Sequence, residues 1–261
     1  MTTAAAGPPV RHTHAITRDG ELITKTFRSW SRGEPLREWR ALRHLAETAP
    51  GLAPEPVAAE PLAEPPWLRM RVVPGQPVTG PWTDDHLDAL AASMRQLWSV
   101  PVPTALDPID FHSTAAWRDL VARTPELDPG PQRAVDLGIR RWIGSGELVD
   151  LLTADRPPIL GQGDPQVGNM LYDAGRFRLV DFEDAGRSDL AFELANFAEH
   201  LGTRGTGLDR LADRFDVDPA RYWLCRRLIA SFWFFTLSTQ RDRRNDEFVE
   251  QSTRLEALLD R

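Results

Sequence analysis

The chain contains one cysteine, Cys225, in 261 residues. A lone thiol excludes an internal disulfide, and a reducing cytoplasm is the simplest compartment for such a composition. Cys225 itself reads as an inert core thiol. Long apolar runs are missing too. The longest, LIASFWFFTL, runs from Leu228 to Leu237, far short of the roughly 20 residues that span a bilayer, and reads as a buried helix. Near the start, Arg11, His12 and His14 interrupt the stretch where a signal peptide needs an unbroken apolar segment, so export is not expected. There is no excess of basic charge: the formal net charge is -7. This argues against general binding of nucleic acid or anionic membrane, because both require a surface that neutralises phosphate. Lysine is nearly absent. Of 31 Lys plus Arg, Lys25 is the one lysine and the other 30 are arginines.

What is present is a folding composition. With 41% hydrophobic residues, 26% charged and nine tryptophans, the chain can bury one large core or two modest ones sharing an interface. VRHTHAIT and ELITKTF alternate like strands around Arg18-Asp19-Gly20, a hairpin signal. PLREWRALRHLAETA has Leu36, Trp39, Leu42 and Leu45 at helical spacing, with Pro35 suited to an early helical position. Two strands are expected next, at Pro56 to Glu60 and Trp67 to Val73, the second ended by a Pro74-Gly75 hinge. Thr83 is an N-cap candidate for a core helix carrying Leu87, Leu90, Met94 and Leu97. Residues 104 to 157 suggest one or two helices, around Ala115 to Arg123 and Pro131 to Ile143. Asp218 to Thr239 reads as a long aromatic helix, followed by the charged QRDRRNDEF and a short last helix.

The informative segment is GQGDPQVGNMLYDAGRFRLVDFEDAGRSDLAFELANF, Gly161 to Phe197. Met170 to Tyr172 and Phe177 to Val180 are short apolar runs around Asp173-Ala174-Gly175-Arg176, a second hairpin. If Asp173 pairs with Arg176, Asn169 faces Val180. Asn169 and Asp181 then lie side by side at the open end, and the loop from Asp164 leads to the same spot. Few oxygen ligands without a His or Cys cluster suit a hard cation that shares itself with phosphate, namely Mg2+ rather than zinc. Taken singly, Asp164, Asn169 and Asp181 are ordinary turn and cap residues; their joint spacing favours a site.

These motifs resemble the aminoglycoside phosphotransferases and related small-molecule kinases. The pattern H-G-D-x-x-x-x-N-x-L is met by Gln162, Gly163, Asp164, Asn169 and Leu171, with Gln162 in place of histidine. D-F-x-x-A-x-x-x-D is met by Asp181, Phe182, Ala185 and Asp189, and the later acidic position by Glu193. The resemblance implies an α+β, protein-kinase-like fold of two lobes: a small antiparallel-sheet N-lobe over 1–73 and a larger, mainly helical C-lobe over 74–261. It implies that Lys25 reaches the phosphates of ATP or GTP and is held by Glu38, a place where a forked guanidinium replaces a compact ammonium poorly. Asp164 would orient the acceptor hydroxyl, Asn169 and Asp181 would hold Mg2+, and main-chain groups of Arg71 and Val73 would bind the base. No glycine-rich loop precedes Lys25; Gly7 alone lies upstream of the hairpin.

The acidic balance and the cluster Glu183, Asp184, Asp189 and Glu193 suggest a polar, cationic acceptor such as an aminoglycoside or a basic peptide antibiotic, with Asp184 as a contact. The expected partners are a nucleoside triphosphate and a small-molecule hydroxyl, with no nucleic acid or membrane. Glu183 reads equally as a solvated residue, Asp189 and Glu193 as fold-holding, and the aromatic residues from Trp223 to Phe235 as core rather than a sugar-stacking surface. A kinase for a choline-like alcohol or a sugar, or a catalytically silent ligand-binding protein of the same fold, stays open.

Overall fold

Alternating polar and apolar residues at the start of the chain fold back on themselves. β1 (Ala15–Asp19) and β2 (Leu22–Thr26) pair antiparallel with Asp19 opposite Leu22. The reversal therefore falls on Gly20 and Glu21, slightly later than expected. Gly20 has φ +58, a left-handed conformation that glycine adopts without a Cβ penalty. A computed structural model of the chain describes residues 14–109, 111 and 113–261; residues 10–13 of the expected first strand lie outside that range.

α1 (Glu34–Thr48) follows, with Pro35 in its first turn and Ala41, Leu42 and Leu45 buried. β3 (Pro56–Glu60) and β4 (Trp67–Arg71) complete a four-stranded antiparallel sheet in the order β1-β2-β4-β3. β4 stops at Arg71, two residues before the expected end. Val72 still donates to the Glu21 carbonyl at 2.9 Å, but Pro74 has no N–H to carry the ladder further. This sheet and α1 are the N-lobe.

The larger lobe begins with β5 (Gln76–Pro77) and α2 (Asp84–Ser99). The Thr83 hydroxyl accepts from the His86 N–H while the His86 ring accepts from the Thr83 N–H, a reciprocal cap that fixes the start of α2. Three helices, α3 (Thr114–Arg123), α4 (Arg133–Ile143) and α5 (Gly146–Thr153), occupy the region where one or two were expected. Four short strands follow: β6 (Ile159–Gly161), β7 (Met170–Asp173), β8 (Arg176–Leu179) and β9 (Gly186–Ser188). They form a β5-β7-β8 sheet and a β6-β9 pair.

The lobe closes with α6 (Leu190–Glu199), α7 (Pro219–Ser238) and α8 (Arg241–Leu259). α7 packs against both its neighbours and buries Cys225, Leu228, Ile229, Phe234 and Phe235. Each such aliphatic or aromatic side chain stabilises by roughly 1.5–3 kcal/mol. Burial pushes the Cys225 thiol far up, so it is inert as expected. α8 corrects the sequence reading. The charged segment after α7 is not a linker to a short helix but the first turns of α8 itself, bent at Arg244 and anchored by buried Phe248, Leu255 and Leu258. Among the described residues, no helix is long and apolar enough to cross a membrane.

Candidate active site

The β7-β8 hairpin has the register that the sequence implied. Asp173 faces Arg176 and Met170 faces Leu179, with Ala174 and Gly175 both at positive φ, a two-residue turn whose twist matches that of its strands. Past the last pair, the Val180 N–H donates to the Asn169 carbonyl at 2.9 Å, which sets Asn169 beside the residue before Asp181. Asp181 has φ +63, uncommon for a residue with a Cβ. Gln162 pins it: its Nε2 donates to the carbonyls of Val180 at 3.0 Å and Asp181 at 3.1 Å. The amide thus ties one loop of the site to the other.

Gly163 has φ +86, and a Cβ there would lie 2.3 Å from the Asp184 carbonyl oxygen. Only glycine lets these two loops approach so closely. Asp164 follows directly. Asn169 Nδ2 donates to Asp164 Oδ2 at 3.0 Å and to its carbonyl at 3.1 Å. On the other side, His200 Nε2 lies 3.2 Å from Asp164 Oδ1. The Gly202 N–H donates to His200 Nδ1 at 3.0 Å, so Nε2 carries the proton of the neutral ring and donates to the carboxylate.

Lys25 lies across the lobe interface. Its Nζ donates to Glu38 Oε2 at 2.7 Å, Asp181 Oδ1 at 2.6 Å and Glu183 Oε2 at 2.8 Å. β2 supplies the ammonium, α1 supplies Glu38, and the segment after β8 supplies the other two carboxylates. Glu183 is held in turn by His14 Nε2 at 2.6 Å. Burial alone would lower the Lys25 pKa, but three carboxylates outweigh it and raise it, so the ammonium is permanent. Burial pushes Glu38 upward, opposed by Lys25. Burial also raises Asp181; Lys25 opposes this, and the charges of Glu183 and Asp164 add to it.

The remaining acidic residues divide. Asp189 caps α6 by accepting from the Phe192 N–H and pairs with Arg221 at 2.6 Å. Glu193 accepts from Ser188 Oγ at 2.8 Å and from the Gln162 N–H at 3.3 Å, and burial pushes it up to about 7. Both hold the fold, as the sequence suggested. Asp184 does not stand free for a cation: it bonds Arg32 at 2.7 Å and lies 3.7 Å from Arg37. Burial nevertheless raises its pKa, with Arg32 opposing. Of the expected base-binding groups, the Arg71 N–H already donates to the Glu55 carbonyl at 2.8 Å, while Val73 is half-buried just past the end of β4.

Asp164 and Asp184 also line a cavity of about 1270 Å³, and Lys25 is not among its lining residues. Phe232 and Trp233 line it too, which corrects their reading as core: α7 turns part of its aromatic surface toward this space.

The model of the phosphotransferase enzyme family matches residues 11–228. The chain belongs to that family. Solved structures with the same fold include a choline/ethanolamine kinase family protein from Mesorhizobium loti, 17% identical, with a TM-score of 0.69 over 96% of this chain and 86% of that one. The choline kinase LicA from Streptococcus pneumoniae is 14% identical, with a TM-score of 0.67 over 97% of this chain and 91% of that one. The GDP complex of aminoglycoside 2'-phosphotransferase-IIIa is 19% identical, with a TM-score of 0.64 over the same shares of the two chains. No curated protein sequence matches the chain.

In this phosphotransferase, the structure brings together Lys25, Glu38 and Asp181 in one cluster and Asp164 and Asn169 in an adjoining one. The contact of Glu183 with Lys25, and the places of His14 and His200, are additions that the sequence does not reveal. The donor set suits magnesium, since Asn169 and Asp181 offer hard oxygen atoms with no thiolate beside them. Glu38, Asp181 and Glu183 also gather oxygens within 4.8 Å of one another, but the Lys25 ammonium bonds all three. That trio already has its cation.

Proposed function

We propose that this phosphotransferase moves the terminal phosphoryl group of ATP or GTP to a hydroxyl of a small molecule in the large cavity. The observation that carries the reading is the position of Asp164, which lines that cavity and is tied through Asn169 to the strand end that bears Asp181. The acceptor oxygen forms its bond to phosphorus as the bond to the nucleoside diphosphate breaks, and the hydroxyl proton leaves on Asp164. Because the transition state is loose, positioning and charge supply most of the rate.

Lys25 meets the nucleotide phosphates, with Glu38 and Glu183 fixing its ammonium. Asn169 and Asp181 hold Mg2+, which when bound supplies charge neutralisation on the phosphates. The base lies against the segment after β4, using the Val73 main chain and the carbonyl of Arg71. The lobe boundary is placed at Val73, supported by the end of β4 and by Pro74. Cytoplasmic residence goes with a need for nucleoside triphosphate, and inactivation of an antibiotic is one outcome of this chemistry. For a cationic acceptor such as an aminoglycoside, basic peptide or choline-like alcohol, Asp184 is a contact only if it exchanges Arg32 for the ligand.

Labelled ATP with magnesium and a panel of hydroxylated small molecules tests the reading. Label is expected on at least one acceptor, and the Asp164→Ala variant is expected to bind Mg-ATP without transferring it. Normal turnover in that variant would reject the role of Asp164.

A further inference from the structure

We infer that the acceptor is a drug-sized amphipathic alcohol with at most one positive charge, its hydroxyl at Asp164 and its apolar body along an aromatic wall; this rests on the phosphotransfer reading above. Volume is the first consideration. None of Lys25, Asp181 or Val73 lines the 1270 Å³ cavity, so this space belongs to the acceptor and not to the nucleotide. A choline-sized alcohol of about seven heavy atoms fills roughly 200 Å³, counting each atom as one water of about 30 Å³. Most of the cavity would stay empty. Sites for drug-sized ligands run to roughly 300–1,000 Å³, the range nearest to this one.

Charge is the second consideration. A polycation needs several carboxylates that are not already neutralised. Among the described lining residues the carboxylates are Asp164, Asp184 and Glu247. Each has a cationic or donor neighbour: His200 for Asp164, Arg32 for Asp184, and Arg244 at 2.7 Å for Glu247. Four arginines, at 32, 37, 123 and 244, face the same space. Asp164 can meet one ammonium group, but burying several here would strip the others of water without giving them an unpaired carboxylate among the described residues.

The wall is the third consideration. His200, which touches Asp164, meets Trp233 edge-on with ring centroids 5.0 Å apart. Trp233 meets Phe232 at 5.0 Å, Phe232 meets Phe111 at 4.8 Å, and Phe111 meets Trp117 at 6.0 Å. All five rings line the cavity. They form one continuous aromatic surface that begins at the carboxylate meant to receive the hydroxyl. Such faces give large contact area to apolar or flat ligands and fix their orientation through ring geometry.

Titration calorimetry and phosphate transfer with four probes test the inference. 4-Methylumbelliferyl glucoside and propranolol are the amphipathic alcohols, kanamycin the polycation, and choline the small quaternary alcohol. At least one amphipathic probe is expected to bind and accept phosphate, with kanamycin and choline at least tenfold weaker. Phe232→Ala and Phe111→Ala are each expected to weaken that probe roughly tenfold while Mg-ATP affinity, which also reports folding, stays unchanged. The inference is overturned if kanamycin or choline binds more tightly than both amphipathic probes, if neither of these binds although Mg-ATP does, or if both ring variants bind normally. Loss of Mg-ATP binding in the unaltered protein would instead overturn the phosphotransfer reading.

Discussion

The two sides of Asp164 are built from opposite materials. Toward the N-lobe, His14, Lys25, Glu38, Asp181 and Glu183 form an unbroken chain of charged and polar contacts at 2.6 to 2.8 Å. Away from it, the contacts are ring to ring, at 4.8 to 6.0 Å. A triphosphate presents the same charges whatever the acceptor, so fixed ions at short range suit the first side. An acceptor recognised by area and shape suits the second. The division places the chemistry on the border between a site that cannot vary much and one that can.

The sharpest way to break this comparison is Asp164→Ala. Turnover is expected to fall roughly 10²- to 10⁴-fold, with Mg-ATP affinity held within about twofold, as read by single-turnover kinetics and calorimetry. A parallel loss of nucleotide affinity would show that the two sides are not separate. Lys25→Met attacks the charged side alone. It leaves Glu38, Asp181 and Glu183 without their cation and is expected to cost on the order of 3–5 kcal/mol of folding stability near pH 8. The deficit should narrow near pH 5.5, because Glu38, already pushed up by burial, then takes a proton. Urea denaturation at the two pH values measures it, and an equal loss at both would mean that the ammonium does not hold the trio.

Glu193→Gln probes the floor beneath both sides. Folded Glu193 titrates at about 7 instead of the ordinary 4.5, so between those values the folded protein binds a proton that the unfolded chain has released. Stability must therefore fall as pH rises through this window, by roughly 3 kcal/mol in all, and the glutamine variant should flatten the profile in thermal melts. An unchanged slope would remove Glu193 as its source. Arg32→Ala is expected to do least. Its pair with Asp184 joins the two sides, but the arginine side chain is about half exposed, so the loss should be about 0–1 kcal/mol. A large rise in the acceptor KM would instead show that Arg32, which lines the cavity, touches the acceptor directly.

The charged side was the more legible in sequence. Asp173 to Arg176 forces one register, and that register delivers Asn169 and Asp181 together; the lone lysine and Glu38 one helix later complete the pattern. Glu183 was not legible as a partner of Lys25, because 158 residues separate them and local spacing says nothing about so distant a contact. The aromatic side was nearly invisible. In LIASFWFFTL every position is apolar or small, so periodicity cannot say that Phe232 and Trp233 turn to the cavity while Phe234 and Phe235 turn inward. The start of α8 is illegible for the converse reason: its first turns are polar all round and are held by Arg244 to Glu247 and by the buried Phe248 rather than by a visible apolar stripe.

Lys25 carries the only ε-amine in the chain, and its side chain is 6% exposed beneath three carboxylates. Apart from the α-amine, acylating reagents have this one amine to modify, and they can reach it only when the lobes part and the proton-holding clamp lets go. The rate at which a single mass increment appears on the peptide around residue 25 is thus a clock for that opening, readable without knowledge of the acceptor.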